Sequence, residues 1–175
     1  MPYKYTTKDL DDETMSKALG IDLPISTKQS IEICNFLRRR KLQRAKDILE
    51  NVIQKKQAIP FKRFNKDMGH KRTTPTAGRY PINACKEILK MLLTAEANAQ
   101  FKGLNTSLLV IKNLLAKKAS RPTHQGRRFG REMKRTHIEV VLEEKEEVKK
   151  TKEDKKIKTK VPEEKSQEQK KDKKW

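Results

Sequence analysis

The sequence is sparing with cysteine, glycine, aromatic residues and long apolar runs, and each shortage removes a class of function. Two cysteines stand in 175 residues, Cys34 and Cys85, each single and each inside a helical pattern. That excludes a disulfide framework and a zinc knuckle and leaves buried reduced thiols as the expectation. There is no glycine-rich phosphate loop, no paired-histidine metal pattern, and no serine or cysteine nucleophile beside a recognisable base, so no catalytic residue, metal or cofactor is expected. His70 has no second ligand at a metal spacing, and His124 and His137 are expected to serve binding and packing rather than acid–base chemistry. The longest apolar runs, "LLVI" and "EILKMLLTA", fall well short of the roughly 20 apolar residues that cross a bilayer, and no membrane span is expected. The N-terminal "MPYKYTTKDLDDE" offers no apolar h-region, so a cytoplasmic location is expected.

What is abundant is positive charge. The formal net charge is +20, with 38% charged residues against 34% hydrophobic. So much uncompensated charge repels itself when compact and attracts polyanions, which points to nucleic acid or an anionic membrane surface as partner. The charge is unevenly distributed: Glu143 to Trp175 hold 13 Lys against 10 Asp or Glu, so nearly all of the excess belongs to the preceding body. The segment 146–175 has few apolar residues and no sustained period and is expected to be a disordered, charged low-complexity tail. Trp175 is expected to be solvated rather than a docking anchor. Residues 1–19 form an N-terminal extension and 20–145 the folded domain.

Three helices are legible in that domain. "PISTKQSIEICNFLRRR" carries Ser26 as N-cap and Gln29 at N3, a capping-box pattern, with Ile31, Cys34 and Leu37 on one face and Arg38, Arg39 and Arg40 in its last turn. "KLQRAKDILENVIQKK" repeats apolar residues at Leu42, Ala45, Ile48, Leu49, Val52 and Ile53. "PINACKEILKMLLTAEANAQFKG" opens at Pro81, turns Cys85, Ile88, Leu89 and Leu92 inward and stops near Gly103, with Ala95, Ala97 and Ala99 permitting close approach of another element. Strand patterns occur in "GIDLPIS", in "LNTSLLVIKNLLA" and in "KRTHIEVVLEE", where Thr136, Ile138, Val140 and Leu142 alternate against His137, Glu139 and Val141. The expected fold is α+β: three helices packed on a small antiparallel sheet, with a long protruding β-hairpin over 108–142.

Two basic stretches have no core of their own. Lys112 to Arg135 contains nine cations (Lys112, Lys117, Lys118, Arg121, Arg127, Arg128, Arg131, Lys134, Arg135) and one acid, Glu132. Arms of about ten residues at about 3.3 Å each reach roughly 30 Å, beyond the roughly 13 Å radius of gyration of a domain this size. A ribbon of this kind must take its structure from what surrounds it, because an isolated two-stranded hairpin is marginal in water. The second stretch, Gln57 to Ile82, interleaves Lys62, Arg63, Lys66, His70, Lys71, Arg72 and Arg79 with Phe61, Phe64 and Tyr80. Cations neutralise phosphate and exposed rings stack on unpaired bases, unless Phe61 and Phe64 pin the loop to the helices.

The order of "DLPIS", "RRRKL", "AIPFKRFNKDMGHKR", "GRYPINACKEILKMLLTAEANAQFKGL", "RRFGR" and "THIEVVLEEKE" resembles the ribosomal protein twenty-two family of the large subunit, in its archaeal and eukaryotic branch, called seventeen in eukaryotes. The likeness covers roughly residues 20 to 145, and "AEANAQFKGL" and "RTHIEVVLEE" are its most specific parts. It implies a structural, non-enzymatic constituent of the large ribosomal subunit that binds ribosomal RNA, assists assembly and extends a hairpin to line the nascent-peptide exit tunnel, beside neighbouring ribosomal proteins and the nascent polypeptide. Carried to this chain, the RNA-binding set is Arg38, Arg39, Arg40, Lys41, Lys62, Arg63, Lys66, His70, Lys71, Arg72 and Arg79, with Lys112, Lys117, Lys118, Lys134 and Arg135 clamping the stem. Arg121, Pro122, Thr123, His124, Gln125, Gly126, Arg127, Arg128, Phe129, Gly130 and Arg131 form the tip at the tunnel wall. The rival expectations are an architectural DNA binder using the basic ribbon, with Pro122 as a wedge, and an RNA-processing enzyme dependent on His124.

Overall fold

The structure is a computed structural model and describes residues 5–7, 11 and 13–145. The tail 146–175 and Trp175 lie outside the described residues. In chain order the elements are β1 (Met15–Leu23), α1 (Thr27–Leu37), α2 (Leu42–Ile53), β2 (Ile59–Pro60), β3 (His70–Lys71), β4 (Thr74–Arg79), α3 (Ile82–Phe101), β5 (Leu109–Lys118) and β6 (Thr136–Glu144), with 3₁₀ turns at Thr106–Leu108 and Gly126–Arg128. The α+β class is as expected, but the strands form two small antiparallel sheets, ordered β1-β6-β5 and β2-β4-β3. β1 also starts earlier than the "GIDLPIS" pattern, at Met15, inside the segment read as an N-terminal extension.

β6 is the central strand, pairing with β1 from Met15↔Glu143 to Leu23↔Thr136 and with β5 from Leu109↔Glu144 to Lys118↔Thr136. Its Ile138, Val140 and Leu142 are fully buried against the helices. Alternation predicts a half-buried strand, yet Glu139 and Val141 on the other face are buried too. Residues 5–7 lie against that face: Thr6 donates to Glu139 through its amide (3.1 Å) and hydroxyl (3.2 Å), and Asn113 Nδ2 donates to Thr7 Oγ1 at 3.0 Å. β5 keeps its apolar residues inward only through a bulge between Ile111 and Asn113. Leu109 and Ile111 before it and Leu114 after it are fully buried, whereas uninterrupted alternation would turn Asn113 inward.

The helices cover the inner face with the expected 3.6-residue period. α2 buries Leu42, Ala45, Ile48, Leu49 and Val52, with Ile53 half-buried at its end. α3 buries Cys85, Ile88, Leu92, Ala95 and Ala99. Ala97, two residues out of phase, is exposed, so close approach comes from Ala95 and Ala99 alone. There β1 lies against α3: Ser16 Oγ donates to the Ala95 carbonyl at 2.9 Å and Asn98 Nδ2 to the Lys17 carbonyl at 2.8 Å. α1 is rotated from the expected face. It buries Ser30, Ile33, Cys34 and Leu37, an i, i+3, i+4, i+7 set, while Ile31 is half-buried. Ser26 is the N-cap residue, without the side-chain hydrogen bond of a capping box. Burial pushes both thiols up to about 12, so Cys34 and Cys85 stay protonated inside the core.

The Gln57–Ile82 stretch is a correction to the sequence reading, since it holds the second sheet. Ile59 and Pro60 pair with Arg79 and Gly78, and His70 pairs with Ala77. Two-residue strands carry no periodic signal, and a proline in one of them argues against a strand from sequence. The sheet closes on Gly78, where a Cβ would meet the Ile59 carbonyl oxygen at 3.0 Å and Thr74 Oγ1 at 2.9 Å. Gly78→Ala is therefore expected to push β2 from β4 and cost about 1–3 kcal/mol in urea unfolding. Gly69→Ala, with nothing among the described residues within 4 Å of its Cβ, is expected to leave the midpoint unchanged; equal effects at the two glycines would contradict this packing.

Candidate nucleic-acid interface

Three basic surfaces are built by unrelated local means. The first is the loop from Lys62 to Arg72. Its anchor is Glu32, an almost completely buried carboxylate on α1. Oε1 accepts from the amides of Arg63 (2.8 Å) and Phe64 (2.9 Å), and Oε2 from that of Lys62 (3.2 Å). Three backbone donors satisfy the buried charge, and the side chains of Lys62 and Arg63 are left exposed. Phe61, buried at 3% exposure, belongs to the core and not to a stacking platform. Phe64 is half-buried, with Arg63 5.3 Å and Lys28 5.8 Å from its ring centre. Lys66, His70, Lys71, Arg72 and Arg79 are all exposed, and Tyr80 is half-buried.

The second surface is the turn between α1 and α2. Arg38, Arg39 and Arg40 do not fill the last turn of α1 as expected, because the helix ends at Leu37. Arg39 takes a left-handed backbone (φ 64°), and the turn is zipped to the edge of β5: the Arg39 amide donates to the Ile111 carbonyl and the Ile111 amide to the Arg40 carbonyl, both at 2.9 Å. Those bonds hold a non-glycine residue where a helix terminus usually favours glycine. Arg38 Nη2 donates to the Leu114 carbonyl at 3.2 Å, while its buried Nε has no hydrogen-bond partner among the described residues. Arg40 stacks over Phe36 at 4.3 Å and donates through Nε to the Phe36 carbonyl at 2.7 Å. Burial, and then the charge of Arg44, lower the Arg40 pKa below the ordinary arginine value. A cleft of about 380 Å³ opens here among Asn35, Phe36, Arg38, Arg40 and Lys62. Lys41, at the N-cap of α2, is exposed beside it.

The third surface is the arm. The regular ladder ends at Lys118↔Thr136, well short of the extended ribbon expected, and residues 119–135 continue as a loosely paired loop. Its cross-links are few: Ala119 N–H to the Arg135 carbonyl (3.3 Å), Met133 N–H to Pro122 (2.8 Å), and His124 N–H to Arg131 (2.8 Å). Thr123 and Glu132 form an isolated bridge. Every residue from Ser120 to Lys134 is exposed except the half-buried His124 and Met133, so Gln125, Arg127, Arg128, Phe129 and Arg131 all face outward. Gly126 (φ 69°) and Gly130 (φ 92°) supply left-handed turns at the tip. The root is tight by contrast. Buried Thr136 donates to the Ile25 carbonyl and meets the Thr27 hydroxyl, both at 2.9 Å, and Arg135 Nη1 donates to the Asp22 carbonyl at 3.2 Å. His137 Nδ1 accepts from the Asp22 amide at 3.1 Å. Two cations expected on the stem lie in the body sheet instead: Lys112 pairs with Glu143 at 3.2 Å and Lys117 with buried Glu139. Lys118 is exposed where the ladder ends.

The sequence profile described as Ribosomal protein L22p/L17e matches residues 18–143. This chain belongs to that family. Among its relatives, a protein of Archaeoglobus fulgidus is 41% identical over 146 residues, covering 79% of this chain and 94% of its own. One from Methanopyrus kandleri is 42% identical over 150 residues (81% and 94%), and one from Methanococcoides burtonii 38% over 146 residues (81% and 96%). Each is named Large ribosomal subunit protein uL22. The family match spans all three basic surfaces and the whole arm.

Sequence reading missed Glu32, whose only sign is an acid set between two isoleucines in "SIEIC", and Thr136, whose hydroxyl ties the arm's root to Thr27 at the start of α1. Glu32→Ala would leave three backbone N–H groups of the Lys62–Phe64 turn unpaired and is expected to cost about 3–5 kcal/mol in urea unfolding, with faster proteolytic cleavage within 62–72. Glu32→Gln keeps one acceptor oxygen and is expected to recover part of that loss. An Ala variant as stable as the parent would mean that the turn does not depend on the carboxylate.

Proposed function

We propose that this protein is a structural constituent of the large ribosomal subunit in the cytoplasm, binding large-subunit ribosomal RNA through its three basic surfaces and assisting assembly. The arm 119–135 reaches into the RNA and lines the nascent-peptide exit tunnel, with neighbouring ribosomal proteins and the nascent polypeptide as further partners. The observation that carries this reading is the arm. Six cations (Arg121, Arg127, Arg128, Arg131, Lys134, Arg135) face one acid, Glu132, on a segment with almost no buried side chain. Uncompensated positive charge of this density attracts a polyanion. Family membership and the relatives' name, a large ribosomal subunit protein, support this particle.

The mechanism is binding without chemistry. The deep major groove of A-form RNA excludes side chains, so recognition rests on phosphates, shape and splayed bases. Arginine forks suit phosphate oxygens, and Lys62, Arg63, Lys66, Lys71, Arg72 and Arg79 offer a second row of contacts on the body. Lys112 and Lys117 contribute through the sheet that supports the arm, given their pairing with Glu143 and Glu139. With about eight phosphates neutralised, the logarithm of affinity for ribosomal RNA should fall by roughly six to seven for each tenfold rise in monovalent salt, measured by filter binding. A slope near two would contradict the reading. Replacing Arg127, Arg128 and Arg131 together with Ala should leave the unfolding midpoint unchanged and reduce incorporation into large subunits in a sucrose gradient; normal particles with an unaltered tunnel would count against the arm's role.

A further inference from the structure

Where the arm leaves the body there is a cleft of about 360 Å³ whose lining includes Lys28 of α1, Arg79 of β4, Phe64 of the basic loop, and Arg121 and Lys134 from the two sides of the arm. Four cations from four stretches of chain converge here, and no acidic residue is in the lining. Among the described residues Arg121 has one ionic partner, the exposed Glu132 at 3.3 Å. Lys28 lies over the Phe64 ring at 5.8 Å, and α1 has no acidic residue in its first turn and no side-chain cap. Like charges gathered around one concavity raise each other's energy, and a shared anion reverses the sign of that term. Two of the four cations belong to the body and two to the arm, so an anion touching all four also ties the arm to the body.

We propose that this cleft takes one phosphate of the RNA backbone and that its capture sets the direction in which the arm leaves the domain. The inference rests on the RNA-binding reading and deepens it. Lys28 and Arg79 hold the phosphate from the body, Arg121 and Lys134 close on it from the arm, and the remaining space beside Phe64 accommodates the adjoining ribose. The root hydrogen bonds of Thr136 and Arg135 fix the point at which the arm departs; the phosphate fixes its angle.

The test uses the full chain, ¹⁵N-labelled, titrated with inorganic phosphate against sodium chloride of matched ionic strength. The expected result is saturable shifts confined to amides near 26–29, 79, 121 and 134, with a rise in the heteronuclear NOE across 119–135. Lys28→Ser with Arg79→Ser, both at exposed positions, should weaken that association about tenfold or more. Lys86→Ser with Lys90→Ser on the exposed side of α3 should leave it as it was. Non-saturating shifts spread over every basic surface, or a Lys28/Arg79 variant that titrates like the parent, would overturn the proposal. RNA binding is measured on the same samples. If the parent binds ribosomal RNA with a steep salt slope but its phosphate titration is featureless, the cleft proposal alone fails; if it binds no RNA, the function proposed above fails.

Discussion

β6 carries the structure. It is hydrogen-bonded along both edges, to β1 and β5, and buried on both faces, with Ile138, Val140 and Leu142 toward the helices and Glu139 and Val141 toward the back. The arm is the connection between β5 and β6, so its root inherits the position of a strand paired on both edges and buried on both faces. The ladder stops at Lys118 and Thr136 because the apolar face stops there. Beyond that point both sides carry cations, and like charges facing across a two-stranded ribbon weaken the pairing. A rigid root and an unsupported arm follow from the same change in composition.

Two of the basic surfaces are held in place by interactions that their own charges do not supply. Glu32, buried on α1, collects the backbone of Lys62, Arg63 and Phe64 and so turns those side chains outward. The edge of β5 holds the Arg38–Arg40 turn through Ile111. Glu139 and Glu143 engage Lys117 and Lys112, which removes two positive charges from the sheet's back face. The acids of the body thus organise where the uncompensated charge is displayed, and RNA, on the proposed function, supplies the missing negative charge.

Much of this was legible in the sequence because helices and long strands carry their burial in a period. α2 and α3 came out of their apolar spacing almost residue by residue, and β6 out of its alternation. The failures have physical causes. Ile31 and Ile33 are equally apolar, so the face of α1 depends on whether Glu32 finds donors inside, and those donors lie about thirty residues further on. The β5 bulge shifts the inward set from Leu109 and Ile111 to Leu114, which no fixed period anticipates. The β2-β4-β3 sheet is assembled from strands too short to show alternation. Among the candidate interface residues, the exposed cations of the loop and arm were legible as a charge run without a core, whereas the internal pairing of Lys112 and Lys117 was not, because their acidic partners lie on the far side of the arm.

The central claim is that residues 119–135 are shaped by surrounding RNA and not by their own packing. Amide hydrogen exchange of that segment, compared between the purified protein and the assembled large subunit, tests it most directly. Exchange near the unprotected rate in the free protein, with β6 amides from Ile138 to Leu142 strongly protected, and slow exchange of the arm only within the particle, is the predicted result. Slow exchange of the arm in the free protein, unaltered by salt, would contradict the account.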